Sequence, residues 1–276
     1  SQIKCRVIQG GQLSYRKGIN LPGVHVSAPC LSTKDEADAK FAIELGVDYI
    51  ALSFVRRAVD IEALRGLIAH HVDKESAPQI IAKVERPEAL AQIDDILLAA
   101  DAVMVARGDL GVELPPEQVP IAQAELIVRA RKHRRSVIVA TQMLESMVHN
   151  IRPTRAEVAD VSYAVTSGAD AIMLSAETAS GAHPVAAVTM MDRVARNAEA
   201  HMWQKGAFGT LTRRDDSVLP MPFGHAMARA AALLSRDLAV KGIMVFSEGG
   251  MSAATMSSGR PAAPVVAISS QQRTYQ

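Results

Sequence analysis

Cysteine is almost missing from this chain of 276 residues: Cys5 and Cys30 are the two present, with no C-x-x-C spacing. Neither stands beside a helix-borne histidine pair, so a disulfide framework and a cysteine-built zinc centre fall away. The thiols read as buried or incidental groups of a reducing cytosol. An excess of either charge is missing too. Lys and Arg number 30 against 29 Asp and Glu, a net charge of +1, which leaves no electrostatic case for nucleic acid or an anionic membrane surface. Long apolar runs are also lacking: none approaches the ~20 residues of a spanning helix, and the N-terminus carries no basic-then-apolar signal pattern. The expectation is a soluble, cytoplasmic protein with neither nucleic-acid nor membrane partners. The first residues, Ser1-Gln2-Ile3-Lys4, bring no methionine and no starting element, as if the chain began within a longer protein.

What is present is apolar mass and a regular rhythm. At 49% hydrophobic and 21% charged, the chain can bury one large core or two moderate ones. Residues 1–24 are glycine-rich and polar and suggest two short antiparallel strands, around pairs such as Val7-Ile8, with a linker ending at Leu21-Pro22-Gly23. From residue 25 a βα alternation takes over. Thr33 to Glu36 forms a capping box, predicting a helix from Lys34 to about Leu45 that stops at Gly46. Val47–Val55 follows as a strand, then a helix over about Val59–Ala69, a strand at Gln79–Glu85, and Pro87 in a first helical turn. Ala102–Ala106 opens the stretch that organises the chain, a run with no charge that suits a sheet covered on both faces. A helix over Val119–Arg131 and a strand over Ser136–Gln142 come next. A second capping box, Thr154 to Glu157, starts a helix to about Thr166 that closes at Gly168. Ala171–Glu177 is a strand, and Pro184 opens a long helix to about Met202.

Strand centres at Ile50, Ile81, Met104, Ile138 and Ile172 recur at βα spacing. Every strand delivers a polar side chain at its C-terminal end, where α/β sheets and barrels bind ligands. The fold class is therefore α/β: an open parallel sheet or, given the regularity, the C-terminal portion of a TIM-type (β/α)8 barrel. A linker over 205–222 leads to a helix at Gly224–Leu238, a strand at Gly242–Phe246, a short helix and a strand at Pro264–Ile268. This is the beginning of a second α/β domain, and with the 1–24 segment it gives three parts: 1–24, 25–204 and 205–276.

Arg107-Gly108-Asp109 places a permanent cation, a residue without Cβ and a carboxylate at one strand end. Glycine there lets ligand oxygens reach backbone N–H groups, and Asp109 offers Mg²⁺ a hard oxygen. Taken alone, the tripeptide is equally well an ordinary turn stapled by a local Arg–Asp pair, and Lys83 with Glu85, two residues apart on one sheet face, reads by itself as a salt bridge. His70-His71 reads as a solvated helix end, the methionines at 143, 147, 190 and 191 as core, and the basic run 129–135 as a helix C-terminus complementing its dipole.

Seven stretches in order carry a resemblance: Arg16–Gly23, Ala51–Arg56, Ile81–Glu85, Met104–Gly111, Ala140–Met147, Pro153–Asp160 and Ile172–Thr178. From Cys5 to Ile268 the chain resembles pyruvate kinase, from the end of the lid domain through barrel strands four to eight into the C-terminal domain. The resemblance implies Mg²⁺-dependent phosphoryl transfer from phosphoenolpyruvate to ADP, giving pyruvate and ATP in glycolysis, a reaction of positioning and charge neutralisation. It implies that Glu85 and Asp109 hold Mg²⁺ or Mn²⁺ and that Lys83 sits over the moving phosphoryl group. Ser53, Lys83, Gly108, Asp109 and Thr141 would contact substrate, with Thr141 near the carbon that is protonated. It implies K⁺ as a second cation, its ligands outside this chain, and a homotetramer. This segment alone is expected to be inactive. A metal-enolate lyase of a related barrel would share the metal pair without needing Lys83 over a phosphate, and a non-catalytic relative would lose the rim. Departures from the family lie at Met251, where an arginine of a sugar-phosphate loop would stand, at acidic Glu248 beside it, and at Ala176 and Tyr163.

Overall fold

The computed structural model describes residues 4–12, 15, 29–204, 221–271 and 274. Helix α1 (Thr33–Glu44) begins at Ser32, whose hydroxyl accepts from Asp35 N–H while the Asp35 carboxylate accepts from Ser32 N–H at 2.8 Å. The capping box thus sits one residue before the Thr33 to Glu36 pair expected. Strand β1 (Tyr49–Leu52) leads to α2 (Ala58–Ala69), and β2 (Gln79–Val84) to α3 (Pro87–Ala91, with Pro87 in the first turn) and α4 (Ile93–Ala99). Strand β3 (Ala102–Ala106) is followed by α5 (Arg107–Glu113) and α6 (Val119–Lys132), and β4 (Ser136–Ala140) by α7 (Arg155–Ser167). Helix α7 carries the expected Thr154–Glu157 box and closes on Gly168 at φ 97°, a left-handed position that suits glycine. Strand β5 (Ala171–Met173), α8 (Ala176–Ala179) and α9 (Pro184–Gln204) complete the series.

The strands form one five-stranded sheet in the order β1-β2-β3-β4-β5, every pair parallel. An order that follows the sequence without a switch point is the order in which a barrel is laid down. Pleating divides the sheet into two faces. Ala82, Val103 and Val137 lie in register with one another, as do Val84, Val105 and Val139, and all six belong to the core packed beneath the helices. The opposite face carries Ile81, Lys83, Met104 and Ile138. Central β3 is buried along its whole length, and β1 and β5 form the two edges.

Three expected strands are shorter than their apolar runs. Phe54 (φ 55°) and Thr141 (φ 69°) leave the extended conformation just past β1 and β4, so Ser53 and Thr141 lie on turns rather than on strand ends. The antiparallel strands expected near the N-terminus do not form over residues 4–12: Val7 and Ile8 are 79% and 91% exposed, with no strand partner among the described residues. The Leu21–Gly23 linker and all but the last two residues of the 205–222 linker fall outside the described residues. The second unit contains α10 (Phe223–Asp237), β6 (Ile243–Phe246), α11 (Met251–Ser258) and β7 (Val265–Ile268), with β6 and β7 parallel. Arg260 ties it to the sheet by donating to Gly168 C=O at 2.6 Å and to Asp170 Oδ1 at 2.8 Å, while Asp170 Oδ2 accepts from Val137 N–H. Among the described residues no helix is long and apolar enough to cross a membrane.

Candidate active site

The C-terminal ends of β2, β3 and β4 gather the candidate residues into two groups. The first stands at β2. Strand alternation puts Lys83 and Glu85 on one side, and Lys83 Nζ lies 2.7 Å from both Ser53 Oγ and Glu85 Oε1. Glu85 is 1% exposed, and its Oε2 accepts from Phe54 N–H at 2.7 Å. The turn after β1 is thus held by a side chain of β2, and Cys30 Sγ lies under the same turn, 3.6 Å from Ser53 C=O. Burial, reinforced by the nearby Asp60 carboxylate, pushes the Cys30 thiol up to about 11, which makes it a packed group rather than a nucleophile.

Glu85 Oε1 is met by the Lys83 ammonium at 2.7 Å as an ion pair and by no other donor among the described residues. A buried carboxylate oxygen with spare acceptor capacity suits a hard cation. Asp109, third residue of α5, is half-buried, and no side chain among the described residues takes its carboxylate. No group of three metal-capable side chains is gathered among the described residues. Two carboxylates match Mg²⁺, which keeps several water or substrate oxygens, better than they match a closed protein cage.

The second group joins β3 to β4. Gly108 N–H donates to Thr141 Oγ1 at 2.7 Å, and Thr141 Oγ1 donates to Ala140 C=O at 2.6 Å. A Cβ at position 108 would sit 3.4 Å from that hydroxyl, in van der Waals contact with the Thr141 side chain. Arg107 does not pair with Asp109 as a local staple would. Its guanidinium is buried, lies 2.5 Å from Asp160 Oδ2 on α7, and donates to Thr141 C=O at 2.7 and 3.2 Å and to Gln142 C=O at 3.1 Å.

Three further residues support the rim without having been singled out for it. Glu177 is 2% exposed, its oxygens taken by Leu144 N–H at 3.1 Å and Ser175 N–H at 2.8 Å. Glu157 accepts from both N–H and hydroxyl of Ser146 and of Thr154. Burial opposes its ionisation, but these hydrogen bonds outweigh it and hold the carboxyl below the usual glutamate value. Arg86 reaches Glu113 at 3.1 Å, fastening α5 to the end of β2. The signals were present, a buried-looking Arg at a strand end and acids inside conspicuous motifs, but their partners are remote in sequence.

A family model described as pyruvate kinase, barrel domain, matches residues 1–188, and one described as pyruvate kinase, alpha/beta domain, matches residues 225–276. The chain belongs to the pyruvate kinase family. A pyruvate kinase of Agrobacterium vitis is 45% identical over 272 residues, covering 99% of this chain and 54% of the relative. One of Sporosarcina psychrophila is 44% identical over 270 residues, covering 98% and 45%, and one of Mycobacterium intracellulare is 54% identical over 194 residues, covering 70% and 40%. The chain spans about half the length of the curated relatives it matches. The five-stranded sheet is thus part of a pyruvate kinase barrel, every rim residue from Ser53 to Glu177 lies within the barrel-domain match, and the second unit falls in the α/β domain.

Proposed function

We propose that this chain carries the reacting rim of an enzyme that transfers the phosphoryl group of phosphoenolpyruvate to ADP, giving pyruvate and ATP in glycolysis. The observation that carries the reading is Lys83, its ammonium fixed between Ser53 Oγ and a buried carboxylate oxygen that no other donor among the described residues reaches. A cation held this way needs no reorganisation when charge develops on a phosphoryl group in transit. Mg²⁺, or Mn²⁺ in its place, would be held by Glu85 and Asp109 and would neutralise phosphoryl-oxygen charge. Ser53 orients the ammonium. Gly108 and Asp109 N–H groups with the Thr141 hydroxyl would take the substrate carboxylate, which competes for the contact that Gly108 now makes with Thr141. Thr141 also lies on the path of the proton that the enolate carbon gains. K⁺, with ligands outside this chain, enters none of these steps. The same reading divides the chain into the end of a lid (1–24), the barrel (25–204) and a linker with the start of the C-terminal domain (205–276), in a cytoplasmic homotetramer.

The test is Lys83→Met in the full-length chain, assayed for ATP formation and for exchange of pyruvate methyl protons with solvent. Phosphoryl transfer should fall about 10³-fold, as for a strong electrostatic donor, while exchange persists because enolisation draws chiefly on the metal pair. ATP formation near normal would make Lys83 a structural ion pair and end this reading.

A further inference from the structure

We infer that Arg107 is a positioning residue that acts through Thr141, a role that rests on the proposed rim chemistry. Thr141 and Gln142 sit at φ 69° and 53°. For a β-branched residue such as threonine, that region is an outlier, which persists only where the surroundings over-determine it. Arg107 supplies that determination. In an extended strand successive carbonyls point to opposite sides, so one guanidinium cannot take two in a row. The left-handed turn brings the Thr141 and Gln142 carbonyls to the same side, where Nη2 meets them at 2.7 and 3.1 Å and Nε adds a second contact to Thr141 at 3.2 Å. Nη2 also lies 2.7 Å from Met143 Sδ. Asp160 takes Nη1 at 2.5 Å and fixes the plane of the fork. The next residue completes the grip from the other side: Gly108 N–H holds the Thr141 hydroxyl at 2.7 Å. One dipeptide thus clamps residue 141 by its carbonyl and by its side chain, and the strained φ is what aims Oγ1 into the rim.

The test is a double-mutant cycle on the full-length protein, with turnover and the KM for phosphoenolpyruvate measured alongside thermal melts. Arg107→Lys keeps the charge, but a single ammonium cannot reproduce a planar fork that spans two carbonyls and a carboxylate. Turnover should drop about 100-fold, the scale of a reacting group misplaced by an ångström. Thr141→Ala should lower turnover by itself, and adding Arg107→Lys to it should cost nothing more, because the two changes remove one function. Losses that multiply independently would overturn the clamp, since Arg107 would then act elsewhere. Should Arg107→Lys fail to fold, Asp160→Asn frees the fork more gently and must display the same non-additivity with Thr141→Ala, or the inference fails. Normal turnover of Thr141→Ala alone would instead overturn the assignment of Thr141 to the rim, and the clamp with it.

Discussion

The ends of β2 and β4 both deliver polar groups to one rim, by opposite means. At β2 the backbone stays regular, and pleating alone sets Lys83 and Glu85 on the same side, where side-chain bonds to Ser53 and Phe54 N–H hold them. At β4 the side chain is aimed by distorting the backbone, and the distortion is kept by Arg107 and, through it, by Asp160 on α7. The first arrangement concentrates its cost in electrostatics, a carboxylate 1% exposed beside one ammonium. The second concentrates it in conformation, of the order of 1–3 kcal/mol for each residue so held. Substitutions at the two ends should therefore separate activity from stability in different ways.

The largest effect is expected at β2. Glu85→Gln removes the anionic oxygen while keeping a side chain that can still accept from Phe54 N–H, and in the full-length chain it should lose both ATP formation and pyruvate proton exchange, beyond the roughly 10³-fold cost of an electrostatic donor. Surviving exchange in a deuterium assay would mean that the metal pair does not include Glu85. Thr141→Gly should break the symmetry between the two ends. Turnover falls about 100-fold with the hydroxyl gone, yet Thr141→Gly should be more stable than Thr141→Ala by about 1 kcal/mol, because both lose the hydroxyl contacts with Gly108 and Ala140 while glycine alone adopts positive φ without strain. Urea unfolding of the two variants decides it, and a glycine variant no more stable than the alanine one would mean that the turn is not strained.

The smallest effect concerns the loop after β4, which Glu157 fastens through Ser146 and Thr154. Its folded value lies below the ordinary 4.5, so its contribution is complete above that pH and is lost as the pH falls from about 4.5 through the depressed folded value. The gap in melting temperature between the parent and Glu157→Gln should narrow between pH 7 and pH 4. A gap that stays constant would mean that the carboxylate does not carry the contact.

Much of this could be read from local chemistry. The sequence marks both ends of helix α7 because Thr154, Glu157 and Gly168 act within their own turns. The α1 start slipped by one because Ser32 with Asp35 and Thr33 with Glu36 are both hydroxyl-to-acid pairs three apart. Lys83 and Glu85 were legible as a pair because a two-residue interval is enough to put side chains on one face. The sequence leaves the local Arg107–Asp109 staple open because the partner of Arg107, Asp160, lies 53 residues away, and nothing in the propensity of threonine announces a left-handed backbone. The apolar runs past β1 and β4 read as strand for the same reason.

Each of β2 to β5 pairs with the strand immediately before it in the chain, so none of these four pairings has to wait for a distant partner to be synthesised. Every new strand meets a finished template, and the helix between them shortens the gap to be closed, rising about 1.5 Å per residue against about 3.3 Å for extended chain. The turn at Thr141 keeps a different schedule. Its anchor, Asp160, is synthesised after both the turn and Arg107, so the strained geometry sets only once α7 has docked, on a sheet already able to bear it.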